Sequence, residues 1–183
     1  MKLKNTYKKV ILFLNTHHYD YLVIGGIAAS VLGEPRTTGD IDLCIFVAKK
    51  GIEKLLDELI GIGFIFDRKI VKTQIMNTGT FKIYCGEIPI DFIIASTEFE
   101  KNALKRKIEV KIYGVSTSFP TPEDLILFKI IPGRTIDIAD VETIAKRHSG
   151  KLDSKYLQSW AMRLSEEAED MRIYNEIKRL LNL

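Results

Sequence analysis

Apolar positions along the chain fall into two patterns. Short continuous runs read as buried strands, and runs recurring every three or four residues read as helices. Residues 5–15 predict a helix with Tyr7, Val10, Ile11 and Leu14 on one face. Tyr21–Ile24 predicts a short strand broken by Gly25-Gly26, and Ile27–Leu32 a short helix opening from that turn. In the loop GEPRTTG at 33–39, Gly33 suits a helix end and Glu34-Pro35 favours extended backbone. Asp40–Val47 predicts a second strand. Residues 49–60 predict an amphipathic helix, with Ile52, Leu55, Leu56 and Leu59 inward and Gly61 and Gly63 closing it. Thr80–Cys85 and Ile88–Ala95 flank Gly86-Glu87 and predict a β-hairpin, with Pro89 suiting an edge or a strand start.

The second half is helical. Thr121 can cap, Pro122 suits the first helical position, and Glu123 and Asp124 favour the positive end of the dipole. That helix runs to Ile131, where Pro132-Gly133 stops it. Thr135–His148 follows, and the tail predicts two more helices, about 154–164 and 165–181. Between the halves, Lys101, Lys105, Arg106, Lys107 and Lys111 alternate with Glu98, Glu100 and Glu109. This run reads as a solvated face, since no aromatic platform supports an RNA-facing rim.

Composition changes this picture little. The 183 residues, 46% hydrophobic and 28% charged, suffice for one substantial core, or a core domain with a small helical appendage. A net charge of +3 is compatible with nucleotide or RNA partners without demanding them. Cys44 and Cys85 read as reduced, buried thiols, and His17-His18 as a polar turn. The apolar run 10–14 is too short for a signal peptide, and no stretch approaches the ~20 apolar residues of a membrane span. The expectation is a cytoplasmic protein.

The candidate chemistry centres on Asp40 and Asp42. Alternate residues of a strand share a face, so these carboxylates point the same way with Cα atoms about 6.7 Å apart. Convergent carboxylates suit a pair of divalent ions about 3.5–4 Å apart, as in phosphoryl transfer. Asp42 lies among β-formers, where aspartate is depleted, and a buried carboxylate requires a cationic partner. Asp91 is the only charge in IPIDFIIA. Either it faces solvent on an edge strand, or it joins the other two in a cage whose oxygen-only donors favour Mg²⁺ or Mn²⁺ over zinc. Gly25-Gly26 is either a tight turn or, at a helix start, a phosphate seat; it is no P-loop, since no Gly-Lys-Ser/Thr follows. Arg36 either neutralises the aspartates or reaches a phosphate. Lys129 either snorkels to the surface or points into a polar cleft. Asp137 and Asp140 share a helix face, with Lys129 and Arg134 as candidate partners.

Gly25-Gly26, a thirteen-residue interval and Asp40-Ile41-Asp42, with Asp91 as third carboxylate, resemble the signature of the polymerase-β-type nucleotidyltransferase superfamily. Lys129, Arg134, Asp137 and Asp140 resemble the closing motif of its AbiEii-like branch of abortive-infection and toxin–antitoxin toxins. The chain departs from that pattern at Ile136, where members often carry lysine, and at Gly26, where many carry serine. The resemblance implies an α+β nucleotidyltransferase fold: a mixed sheet flanked by helices over residues 1–114, with a C-terminal helical region, 115–183, packed on it. It further implies that Asp40 and Asp42 hold Mg²⁺ or Mn²⁺, with Asp91 as third ligand and candidate base. Gly25 and Gly26 would cradle an NTP, with Arg36, Lys129 and Arg134 as candidate phosphate contacts. The expected reaction moves a nucleoside monophosphate to a hydroxyl of RNA, particularly a tRNA end, or of protein. A cognate antitoxin would be a partner in a toxin-like context. The rival is a domain of the same fold that binds nucleotide or a protein partner without chemistry.

Overall fold

The computed structural model describes residues 2–181. Its centre is a four-stranded mixed sheet of β1 (Asp20–Ile24), β2 (Ile41–Phe46), β3 (Thr80–Cys85) and β4 (Ile88–Ile94), in the order β1-β2-β4-β3. β2 and β4 run parallel in the middle, and β1 and β3 flank them antiparallel. The parallel pair needs a long crossover, which α3 (Ile52–Gly61), α4 (Arg68–Thr78) and β3 supply. Pro89 sits at the start of β4, so the missing N–H costs little, and the edges of the sheet are β1 and β3 rather than β4.

Helix α1 (Lys2–Thr16) buries Tyr7, Val10, Ile11 and Leu14, the face that its periodicity predicts. Helix α2 (Gly25–Leu32) begins at the glycines themselves, two residues earlier than expected. A capping box of Thr97 and Glu100 starts α5 (Glu98–Lys105). Strands β5 (Ile108–Ile112) and β6 (Val115–Phe119) form a two-stranded sheet, with β6 packed near β1. Thr121 caps α6 (Pro122–Ile130) as expected, accepting a bond from the Asp124 N–H. Helices α7 (Thr135–Arg147), α8 (Ser154–Glu167) and α9 (Arg172–Leu181) complete the chain.

Several elements differ from the sequence pattern. Asp40 lies in a bend before β2 rather than in the strand, and a 3₁₀ turn over 49–51 precedes α3. Helix α4 lacks an apolar stripe, burying only Val71. Its start is capped by Asp67, Ile75 packs beside Val71 on the core, and Arg68 and Lys72 form exposed pairs with Glu53 and Asp57 of α3. The basic run hides the β5–β6 hairpin, whose Ile108, Val110 and Ile112 alternate with Glu109 and Lys111. The boundary expected after residue 114 falls in the turn of that hairpin. One apolar cluster runs from Tyr7 and Leu43 through Phe119 and Leu127 to Ile177 on both sides of it. Both cysteines are free, Cys44 buried and Cys85 partly so. Among the described residues no helix is long and apolar enough to cross a membrane.

Candidate active site

The parallel register sets the site. Asp42 of β2 and Asp91 of β4 are direct partners across the ladder, so their side chains leave the same face side by side. Asp40 reaches them from the preceding bend, fixed by a bond from Thr38 Oγ1 to its Oδ1 at 2.6 Å. Convergence therefore comes from the bend and from β2–β4 pairing, not from strand alternation. One carboxylate oxygen from each of Asp40, Asp42 and Asp91 lies within 4.8 Å of the others. At an effective dielectric near 20, two unit charges at that separation repel by about 3 kcal/mol before solvent screening. The neighbouring cation is Lys82 of β3, register partner of Asp91, with Nζ 3.0 Å from its Oδ2. Burial, and then the charges of Asp40 and Asp91, push the Asp42 carboxyl up to about 6. Three half-buried oxygen donors, with a single cation bonded to them among the described residues, fit a hard divalent cation such as Mg²⁺ or Mn²⁺.

The two glycines make room for this cluster. Gly25 has φ +63, and a Cβ built there would stand 1.8 Å from Asp42 Oδ2. No other residue type fits between the α2 start and the carboxylate. The Gly26 N–H partly offsets the rise at Asp42, and the positive end of α2 lies against that carboxylate.

A second network walls the site. Lys129 of α6 places Nζ 2.9 Å from Asp137 Oδ1 and 2.8 Å from Asp140 Oδ2, both on α7. Arg36 grips Asp140 with both ends of its fork, Nε at 2.7 Å and Nη2 at 2.9 Å. Its charge is thus directed to Asp140 rather than to Asp40 and Asp42. Arg134 pairs with Asp137, its own side chain largely exposed. Lys129, Asp137 and Asp140 are buried, and three cations face two carboxylates. Burial raises the pKa of Asp137, but bonds from Arg134 and Lys129 outweigh it and hold the carboxyl below its ordinary value. Asp140 is lowered in the same way by Arg36 and Lys129. Arg172 of α9 locks the turn that presents Arg134, donating to the carbonyls of Ile130 at 2.8 Å and Ile131 at 2.9 Å.

A cavity of about 750 Å³ brings Gly25, Gly26, Arg36, Asp40, Asp42, Lys129 and Arg134 together, opposite an apolar wall that includes Phe99, Phe128 and Ile173. Asp91 opens instead into a neighbouring cavity of about 280 Å³, which shares Asp42 with the first. The residue that the sequence reading missed is Lys82. Alternation in TFKIYC puts it on a face with Thr80 and Tyr84, but its pairing with Asp91 depends on the β3–β4 register.

Solved structures share this architecture. ANT(2'')-Ia in complex with adenylyl-2''-tobramycin matches with a TM-score of 0.53 and 15% identity over 100% of this chain and 98% of its own. The lincomycin-bound lincosamide antibiotic adenylyltransferase LnuA matches at 0.54 and 14%, over 80% and 98%. An antigenic nucleotidyltransferase-like protein from Paracoccidioides brasiliensis gives 0.50 and 16%, over 96% and 92%. At such identities the likeness is one of fold, and the fold is that of the nucleotidyltransferases. No curated protein matches the sequence. The family described as "nucleotidyltransferase of unknown function (DUF6036)" matches residues 1–181, and the chain belongs to it.

Proposed function

We propose that the protein transfers a nucleoside monophosphate from an NTP to an acceptor hydroxyl, with Mg²⁺ or Mn²⁺ held by Asp40, Asp42 and Asp91. The observation that carries this reading is the three-carboxylate cluster where the two cavities meet, with Asp40 and Asp42 beside the glycines of the larger one and Asp91 in the smaller. The named activities of two fold neighbours support it. LnuA is a lincosamide antibiotic adenylyltransferase, and the ANT(2'')-Ia structure holds an adenylylated tobramycin.

In this reading the α2 start and the net-positive network of Arg36, Lys129 and Arg134 take the triphosphate, and the apolar wall takes the base. Bound divalent ions supply neutralisation of the phosphate charge and acidification of the acceptor hydroxyl. Asp91 accepts the hydroxyl proton. The acceptor oxygen bonds the α-phosphorus as the bond to the bridging oxygen breaks, and pyrophosphate leaves with the electron pair. The acceptor is a hydroxyl of RNA, such as a tRNA end, or of protein. The Lys129–Asp140 stretch supports the AbiEii-like branch, and with it a cytoplasmic toxin restrained by an antitoxin protein.

The test incubates protein with each α-labelled NTP, Mg²⁺ or Mn²⁺, total RNA and cell protein, beside Asp42→Ala. Label should move to an acceptor with wild type only, and growth arrest on expression should follow the same pattern. Absence of transfer, with NTP binding unchanged in Asp42→Ala, replaces the enzyme by a nucleotide-binding domain.

A further inference from the structure

The larger cavity extends from Asp42 toward β1 and α2, and the smaller one extends toward the sheet edge at β3. They meet at Ile24, Asp42 and Ile93. Nucleophile and leaving group lie in line on opposite sides of a transferred phosphorus. With the triphosphate along the α2 wall, the acceptor enters from the β3 side. At about 280 Å³ that cavity is smaller than the roughly 300–1,000 Å³ of sites that enclose drug-sized ligands. Its space suits a single sugar unit.

Its lining says what that sugar carries. Gln74 and Thr80 offer neutral polar groups at the mouth, and Phe81, Phe92 and Ile93 are apolar. Lys82 is the one cation among the lining residues, with nearly half of its side chain exposed. Its partner is Asp91, which the proposed function also gives to a divalent ion. A dication on that carboxylate repels the ammonium, and Lys82 can then swing on its flexible stem into the open cavity. A phosphate on the acceptor would meet it there.

We propose that the smaller cavity is the acceptor site, and that Lys82 selects an acceptor whose reacting sugar hydroxyl has a phosphate on the same sugar. The chemistry is shared by a nucleic-acid end and by a phosphorylated sugar metabolite. This rests on the nucleotidyl-transfer reading, so the test measures both cavities. Protein is saturated with Mn²⁺ and each of the four α,β-methylene NTPs in turn, and the affinity for the analogue is recorded by calorimetry. Ribose 5-phosphate, a trinucleotide RNA with a free 3′-hydroxyl, and ribose are then titrated into the tight complex.

One phosphorylated probe should bind at least about tenfold more tightly than ribose. Lys82→Ala should remove that advantage and Lys82→Arg should keep it, with the Mn²⁺–analogue complex still forming in both. Whichever phosphorylated probe binds identifies the source of the acceptor. Equal binding of ribose, no binding of either phosphorylated probe, or an advantage that survives Lys82→Ala overturns the assignment. Failure of all four Mn²⁺–analogue complexes to bind instead overturns the underlying nucleotidyl-transfer reading.

Discussion

Gly25→Ala is the substitution whose cost can be worked most directly from the structure. Gly25 has φ +63, and a left-handed backbone costs an L-residue roughly 1–2 kcal/mol. The added Cβ would also stand 1.8 Å from Asp42 Oδ2, far inside the 3.0 Å below which real contacts essentially never fall. The carboxylate must therefore retreat by about 1.2 Å, or α2 must move by as much. For a chain of this size each kcal/mol shifts Tm by about 2–4 °C, so backbone strain alone lowers it by roughly 2–8 °C. Displacing a reacting group by about 1 Å costs on the order of 10²-fold in rate. Thermal unfolding by circular dichroism, Mn²⁺ titration by electron paramagnetic resonance and label transfer together read these effects. Gly26→Ala provides a graded comparison, because its Cβ would stand 2.7 Å from the Thr38 Oγ1 and 2.9 Å from the Thr38 Cβ, so that Thr38 rather than Asp42 must shift. It should disturb Asp40 through Thr38 and leave Asp42 nearly in place. Wild-type Mn²⁺ affinity and transfer in Gly25→Ala would refute the claim that Asp42 is seated against the α2 start.

Lys129→Met should destabilise the protein by about 3 kcal/mol, the low end for breaking a buried ion pair, because Asp137 and Asp140 each keep an arginine. The midpoint of urea unfolding reads this, and a loss below about 1 kcal/mol would mean that solvent already compensates the pair. Asp137 and Asp140 titrate below the ordinary value of 3.8 in the folded protein, so the unfolded chain takes up protons first on acidification. Their stabilising contribution is present above pH 3.8 and is lost as pH falls through the lowered folded values. Unfolding midpoints followed downward from pH 5 should fall more steeply in wild type than in Asp137→Asn. Parallel curves would contradict the lowered carboxyl.

What the sequence determined by itself was local. Periodicity of 3.6 or 2 depends on neighbours a few residues apart, and it placed α1 with its buried face and the elements β1, β3, β4 and α6. It also brought Gly25-Gly26, Asp40 and Asp42 to notice, because two glycines after a strand and an aspartate among β-formers conflict with local preference. Where stability came from partners distant in sequence, the pattern was silent. Helix α4 meets α3 through exposed ion pairs and the core through Val71 and Ile75 alone, and the β5–β6 hairpin lay beneath a charge run. Tertiary structure alone decided the site. Asp91 stands beside Asp42 because β2 and β4 pair in parallel across a long crossover, a register that no local pattern encodes. The same register carried through β3 gives Asp91 its lysine, and packing of α6 on α7 gives Lys129 two aspartates. Side-chain type fixes which chemistry a residue can perform. Only the folded chain fixes which charges face one another, because their energy depends on distances that sequence separation does not set.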